Sequence, residues 1–144
     1  MPGPVIAEKL VKQFPPGQKG SEPLTAVAGI DFEVRPGETF SLLGPNGAGK
    51  SSTMKMVSTV SPVTSGRLQV LGGDPVSDGP AIRQRMGVVP QEDLLDAELT
   101  VFENLVIYAR YFGLTWDASR HKATELLEFA RLTERKDDKV DPLS

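Results

Sequence analysis

The chain has 144 residues, 16 Lys and Arg against 19 Asp and Glu, a formal charge of −3 and no cysteine. That length suits one domain; the lack of cysteine excludes a disulfide framework and Cys-based metal or redox sites, and with no signal peptide the chain reads as cytosolic. No basic block supplies the footprint of a nucleic-acid binder, and the apolar runs fall far short of the ~20 residues of a membrane-spanning helix, so any work at a membrane is expected to be peripheral.

In chain order, Val5 to Val11 reads as a strand broken at Lys9 and ending at Phe14. Residues 15–23, rich in Pro and Gly, form a loop. Thr25 to Val34 sets Ile30, Phe32 and Val34 against Asp31, Glu33 and Arg35, an alternation that predicts a half-solvated strand. Arg35-Pro36-Gly37-Glu38 is a turn, and Thr39-Phe40-Ser41-Leu42-Leu43 is a short apolar run suited to a buried strand.

Gly44-Pro45-Asn46-Gly47-Ala48-Gly49-Lys50-Ser51-Ser52 follows. It reads G-x-x-x-x-G-K-S, and a strand before it with a helix after it (Ser52 to Val57) is the setting that gives this pattern meaning. Gly47 and Gly49 lack Cβ, so the backbone can take positive φ and approach an anion closely. Successive N–H groups from about Gly47 to Ser52 can converge on phosphate oxygens, helped by the partial positive charge of a helix N-terminus. Lys50 adds a cationic donor for the β- and γ-phosphates. The Ser51 hydroxyl is placed to ligate Mg²⁺. The alternative is a glycine-rich turn that only caps a helix; all three fixed positions and both flanks favour a nucleoside triphosphate.

Ser61 to Gly66 stops the first helix, Arg67 to Leu71 alternates as a strand, and Gly72-Gly73-Asp74-Pro75 turns. Ala81 to Arg85 suits one helical turn, and Met86 to Pro90 a further strand. Residues 1–90 therefore predict an antiparallel β layer attached to an α/β core. Thr100-x-x-Glu103 is a capping box opening a helix with Val101, Leu105, Tyr108 and Phe112 on one stripe, ended by Gly113. A second helix from about Asp117 to Leu132 has Ala123, Leu126, Leu127 and Ala130 as its apolar face. Tyr108, Tyr111, Phe112 and Trp116 read as packing between the two helices rather than as a base-stacking platform.

Together these residues resemble the ATP-binding cassette (ABC) family of transporter ATPases. Gly44 to Ser51 is similar to that family's form of the phosphate loop, Ser61 to Gly66 to its Thr-Ser-Gly turn, Val88-Val89-Pro90-Gln91 to its glutamine loop, and Leu99 to Leu105 to the start of its helical subdomain. The run through Tyr111-Phe112-Gly113 is especially similar to ATPases of drug and lipo-oligosaccharide exporters. The resemblance implies an α/β fold, a partial P-loop NTPase: an antiparallel β layer, a phosphate-loop strand–helix core and the start of a helical subdomain, with residues 1–90 and 91–144 as the two parts of one ATP-binding domain.

It also implies ATP and Mg²⁺ as ligands, with Gly44, Pro45, Asn46, Gly47, Ala48, Gly49, Lys50, Ser51 and Ser52 around the phosphates. Phe14 takes the place of the aromatic that stacks on adenine, although one aromatic in a strand is as readily a core residue. Gln91 would join Ser51 at the Mg²⁺ and, with Lys50, serve the reaction, its loop reporting to the membrane subunit; otherwise it is a polar loop residue. Glu92, Asp93, Asp96 and Glu98 would face that subunit, and as residues they read as a solvated acidic loop. The implied partners are a membrane-spanning permease and a second ABC protomer, head to tail, on the inner face of the cell membrane.

Leu143-Ser144 resemble the opening of the family's Leu-Ser-Gly-Gly-Gln signature. No counterpart of the catalytic Glu or the switch histidine is present, and His121, the single histidine, reads as a surface residue. The resemblance thus implies the N-terminal portion of an exporter ATPase that binds nucleotide without turnover, with an uncovered sheet edge and helix face and hence marginal stability or self-association. Two other readings are a soluble ABC ATPase acting on ribosomes or DNA, disfavoured by the acidic balance and the Tyr111-Phe112-Gly113 run, and a non-catalytic binding module.

Overall fold

The computed structural model describes residues 3–17, 22–89 and 95–140. The chain divides into two compact units, Met1–Val88 and Val89–Ser144.

The first unit is built on a three-stranded antiparallel sheet in the order β2-β1-β3. Strand β1 spans Val5–Phe14, β2 Leu24–Val34 and β3 Ser65–Val70. The predicted break at Lys9 is a bulge: the register with β2 jumps between Ala7 and Leu10, and Lys9 has φ 47°. Its N–H leaves the ladder and donates to Asp31 Oδ1 at 2.8 Å. The extra residue re-phases the strand, so Ala7 and Leu10, three apart, both face the core although strict alternation would put them on opposite faces. The core comprises Ala7, Leu10, Val27, Met56, Leu68, Val70 and Ile82, which joins all three strands to helix α1 (Lys50–Val57) and the short helix α2 (Gly79–Arg83).

On β2 the predicted alternation holds: Ile30, Phe32 and Val34 are half-buried while Asp31 and Glu33 are exposed. The turn after it closes through Glu38 N–H to Arg35 O at 3.1 Å, with Gly37 at φ 78°. Two predicted strands do not form. Residues 39–43 and 86–89 are not strands, and Leu43 and Val89 are 92% and 97% exposed. A buried strand exists only where neighbours take its N–H and C=O groups, and among the described residues 39–43 make no backbone hydrogen bond. Phe40 instead stacks on Phe32 of β2, ring centroids 5.2 Å apart.

In the second unit, α3 spans Val101–Tyr111 and α4 Trp116–Ala130. The capping box is present: Thr100 N–H donates to Glu103 Oε2 at 2.8 Å and Glu103 N–H to Thr100 Oγ1 at 3.2 Å. Gly113, at φ 82°, ends α3. The buried positions of α3 are Asn104 and Val106, not the stripe of Val101, Leu105, Tyr108 and Phe112; the first three are half-buried and Phe112 is exposed. Asn104 earns its burial by hydrogen bonding, accepting from Asp96 N–H and donating to Asp96 O, both at 2.9 Å. On α4, Ala123 and Leu127 are buried, whereas Leu126 and Ala130 are exposed. Leu126, Leu127 and Ala130, together with Leu95, Val101 and Leu105, line an apolar cavity of about 330 Å³.

Of the four aromatics expected between the helices, Tyr108 is half-buried and the other three are exposed. Tyr111, Phe112 and Trp116 are 78%, 58% and 52% exposed. Tyr111 meets Tyr108 edge-on within α3 at 5.9 Å, and the Arg110 guanidinium of α3 lies 4.9 Å from the Trp116 ring of α4, a contact between the two helices. His121 is a surface residue, its side chain 80% exposed and 3.2 Å from Glu125.

The capping box gives α3 a pH dependence of known sign. Chiefly the Thr100 N–H, and then its hydroxyl, hold the Glu103 carboxyl below its ordinary value of 4.5. A carboxyl depressed in the folded state stabilises fully above its unfolded pKa, and that contribution is lost as pH falls through the folded value. Acidification below about 4.5 is therefore expected to fray the first turn of α3. Following the Thr100 amide resonance through an acid titration checks this: it should move with Glu103, and the movement should vanish in Glu103→Gln.

Candidate functional site

The segment 44–52 is a glycine turn running into a helix. Ala48 N–H donates to Pro45 O at 3.3 Å, Gly47 takes φ 83°, and Gly49 caps α1 in the left-handed conformation, φ 85°, ψ 2°. The two glycines are needed for different reasons. A Cβ on Gly47 would meet nothing within 4 Å, so only its φ calls for glycine. A Cβ on Gly49 would stand 2.2 Å from Ala26 O, so this residue also lets the helix start directly against β2.

The donors of this turn have nowhere to go. Among the described residues, the N–H groups of Gly47, Gly49, Lys50, Ser51 and Ser52 have no acceptor. No side chain caps α1, and its first turn carries no acidic residue. Unpartnered N–H groups at an uncompensated helix N-terminus form an anion cradle. Lys50 is half-buried and its Nζ bridges the cradle, donating to Gly44 O and Pro45 O at 2.7 Å each. Thr53 locks the helix start: its N–H and hydroxyl both donate to Gly49 O, at 2.8 and 3.0 Å. Ser51 is exposed at the loop's mouth. The donor set fits a polyphosphate, with a cation and a hydroxyl placed beside the amides.

Phe14 ends β1, 38% exposed. Its register partner on β2 is Leu24, and the residues of β2 beneath Gly49 are Ala26 and Val27. One strand therefore carries both, two to three residues apart, roughly 7–10 Å at ~3.4 Å per residue. Gln91, Glu92 and Asp93 lie outside the described residues, as do Pro90, Leu143 and Ser144. Asp96 and Glu98 are exposed; Glu98 pairs with Lys139 at 3.4 Å.

Two residues that sequence reasoning missed belong to this region. Thr53 looked like an ordinary helix position, and only its burial marks it. Lys12 is 6% exposed, with its Nζ 5.0 Å from the Phe14 ring centroid. Its signal was legible, since residues two apart on a strand share a face.

An antiparallel sheet packed on a helix that a glycine cradle opens is the partial fold of a phosphate-loop nucleoside triphosphatase. The chain belongs to the ABC transporter family, whose model matches residues 27–144. It is 50% identical over 118 residues to the Nod factor export ATP-binding protein I of Burkholderia pseudomallei (strain 1710b), covering 82% of this chain and 39% of that protein. It is 43% identical over 120 residues to the linearmycin resistance ATP-binding protein LnrL of Bacillus subtilis (strain 168), covering 83% and 39%. Among solved structures, the ATP-binding cassette MJ0796, a dimer in a post-hydrolysis state bound to ADP and Pi, matches with a TM-score of 0.78 at 23% identity, over 97% of this chain and 63% of that one. The chain thus spans about two-fifths of the length of the curated relatives it matches.

Proposed function

We propose that the chain binds Mg²⁺–ATP through residues 44–52 and is the nucleotide-binding part of an exporter ATPase. The observation that carries this reading is the set of N–H groups of Gly47, Gly49, Lys50, Ser51 and Ser52 that have no acceptor among the described residues, with the Lys50 ammonium on the carbonyls of the same loop. In this reading Lys50 exchanges its carbonyl partners for phosphate oxygens, Ser51 Oγ ligates the metal, and Phe14 stacks on the adenine. The family resemblance assigns Gln91 a role toward the metal and the attacking water. Residues 1–90 form the β layer and phosphate-loop core, and 91–144 the glutamine loop and helical subdomain.

Bound Mg²⁺ would neutralise phosphate charge, so that positioning and electrostatics do most of the work. The amides orient the phosphates, and the Gly49–Ala26 contact fixes where the loop stands on the sheet. Among the described residues no carboxylate follows a strand where a water-orienting base would be needed, and in this reading the chain binds without turnover. Relatives named for the export of a Nod factor and for resistance to linearmycin support an export role, with a membrane-spanning permease and a second ABC protomer as partners and a place at the inner face of the membrane. No helix among the described residues is long and apolar enough to cross a membrane.

Calorimetry of the chain with Mg²⁺–ATP tests the reading, with Lys50→Ala as control and circular dichroism to check that the control is folded. Saturable binding that Lys50→Ala abolishes is the expected result. At a hundred times its dissociation constant the ligand should stabilise the fold by roughly 2.7 kcal/mol. Equal affinity in wild type and Lys50→Ala would refute the assignment.

A further inference from the structure

Lys12 is an unusual residue to bury. It is 6% exposed, yet among the described residues no carboxylate pairs with it; its Nζ donates to Pro62 O at 2.7 Å. An ammonium out of water needs compensation, and here a carbonyl and the face of the Phe14 ring supply it, the centroid 5.0 Å away. Pro62 is itself fixed, because the turn that contains it is tied to β1. Thr64 N–H donates to Val11 O at 3.0 Å, and Gln13 N–H donates to Thr64 Oγ1 at 2.9 Å. The cation is held from behind and the ring is held against the cation.

We propose that Lys12 is the positioning residue for the Phe14 ring, and that the pair forms a platform for a purine base whose grip depends on the Lys12 cation. The proposal rests on the nucleotide-binding reading of the phosphate loop. With an ammonium over one face of the ring, the opposite face is the one left for a base, and the residue as a whole is 38% exposed. A cation on one face draws π-density from the ring, which favours stacking of an electron-rich base on the opposite face. The register on β2 puts ring and cradle roughly 7–10 Å apart along the strand, a span that a nucleoside triphosphate bridges between base and phosphates.

The test compares Mg²⁺–ATP with Mg²⁺–tripolyphosphate, which carries the phosphates and no base, on the 144-residue chain. Lys12→Met should weaken ATP about five- to tenfold and leave tripolyphosphate within about twofold, the size expected of a partly desolvated cation–π contact. Lys12→Arg should recover most of the loss, and Phe14→Leu should weaken ATP as Lys12→Met does. Equal losses for both ligands in Lys12→Met would make Lys12 a structural residue and overturn the proposal, as would unchanged ATP affinity. If the wild-type chain binds both ligands equally tightly, the cradle stands and the base platform falls. Binding of neither sinks the nucleotide reading and this proposal with it. Should Lys12→Met not fold, Lys12→Arg and Phe14→Leu decide: near wild-type ATP affinity in the first with loss in the second supports the platform, and any other pattern rejects it.

Discussion

Gly49→Ala is expected to destabilise the first unit by about 3 kcal/mol or more and to abolish nucleotide binding. Two costs combine. A left-handed φ, here 85°, costs an L-residue about 1–2 kcal/mol. The new methyl would also stand 2.2 Å from Ala26 O and 3.1 Å from a Val27 methyl. The nearer atom belongs to the backbone of β2, so relief requires the helix start to lift off the sheet. That movement carries the N–H groups of Lys50, Ser51 and Ser52 with it, since Thr53 ties them to Gly49 O. Gly47→Ala is the comparator: the same kind of φ, 83°, with open space around the added carbon, so only the conformational cost of about 1–2 kcal/mol applies. Urea unfolding of both variants checks the argument. Equal stabilities would mean that the Ala26 contact is unimportant.

That contact also explains what could be read before the structure. The cradle, the alternation of Ile30 to Val34 and the Thr100–Glu103 capping box are local patterns, set by residues within a few positions of one another, and each forms where its spacing put it. Residues 39–43 and 86–89 have strand composition, but a strand is a relation between segments, and no described segment pairs with them. The face of α3 was misjudged for a related reason. Apolarity ranked Leu105 above Asn104, whereas the Asn104 amide is buried because it accepts from Asp96 N–H and donates to Asp96 O, and Leu105 is only half-buried. Lys9 was seen as a break in β1, but not that the break would re-phase the strand and bring Ala7 and Leu10 to one face. Position 26 carries no chemical signal at all: its carbonyl matters because Gly49 rests on it, and that closeness exists only in the fold.

Met56→Ala should cost about 2–5 kcal/mol, the range for truncating a buried methionine. Helix α1 has few means of holding to the sheet. Its buried residues are Thr53 and Met56, and Thr53 spends its hydroxyl on Gly49 O. Met56 is the one apolar side chain of α1 that is wholly buried, at 0% exposure, within the cluster of Leu10, Val70 and their neighbours. Truncation leaves a cavity between helix and sheet, and a short helix of 8 residues has little stability apart from its packing. Amide exchange should therefore quicken in α1 more than in β1–β3, and ATP should bind more weakly although no phosphate-contacting group has changed. Met56→Leu, close in volume, should cost under about 1.5 kcal/mol. Because Gly49 and Met56 seat the same helix, the double variant Gly49→Ala/Met56→Ala should lose less stability than the two single losses added together. Strict additivity in denaturant melts would mean that the two residues hold the helix independently, and that the cradle does not depend on how α1 packs.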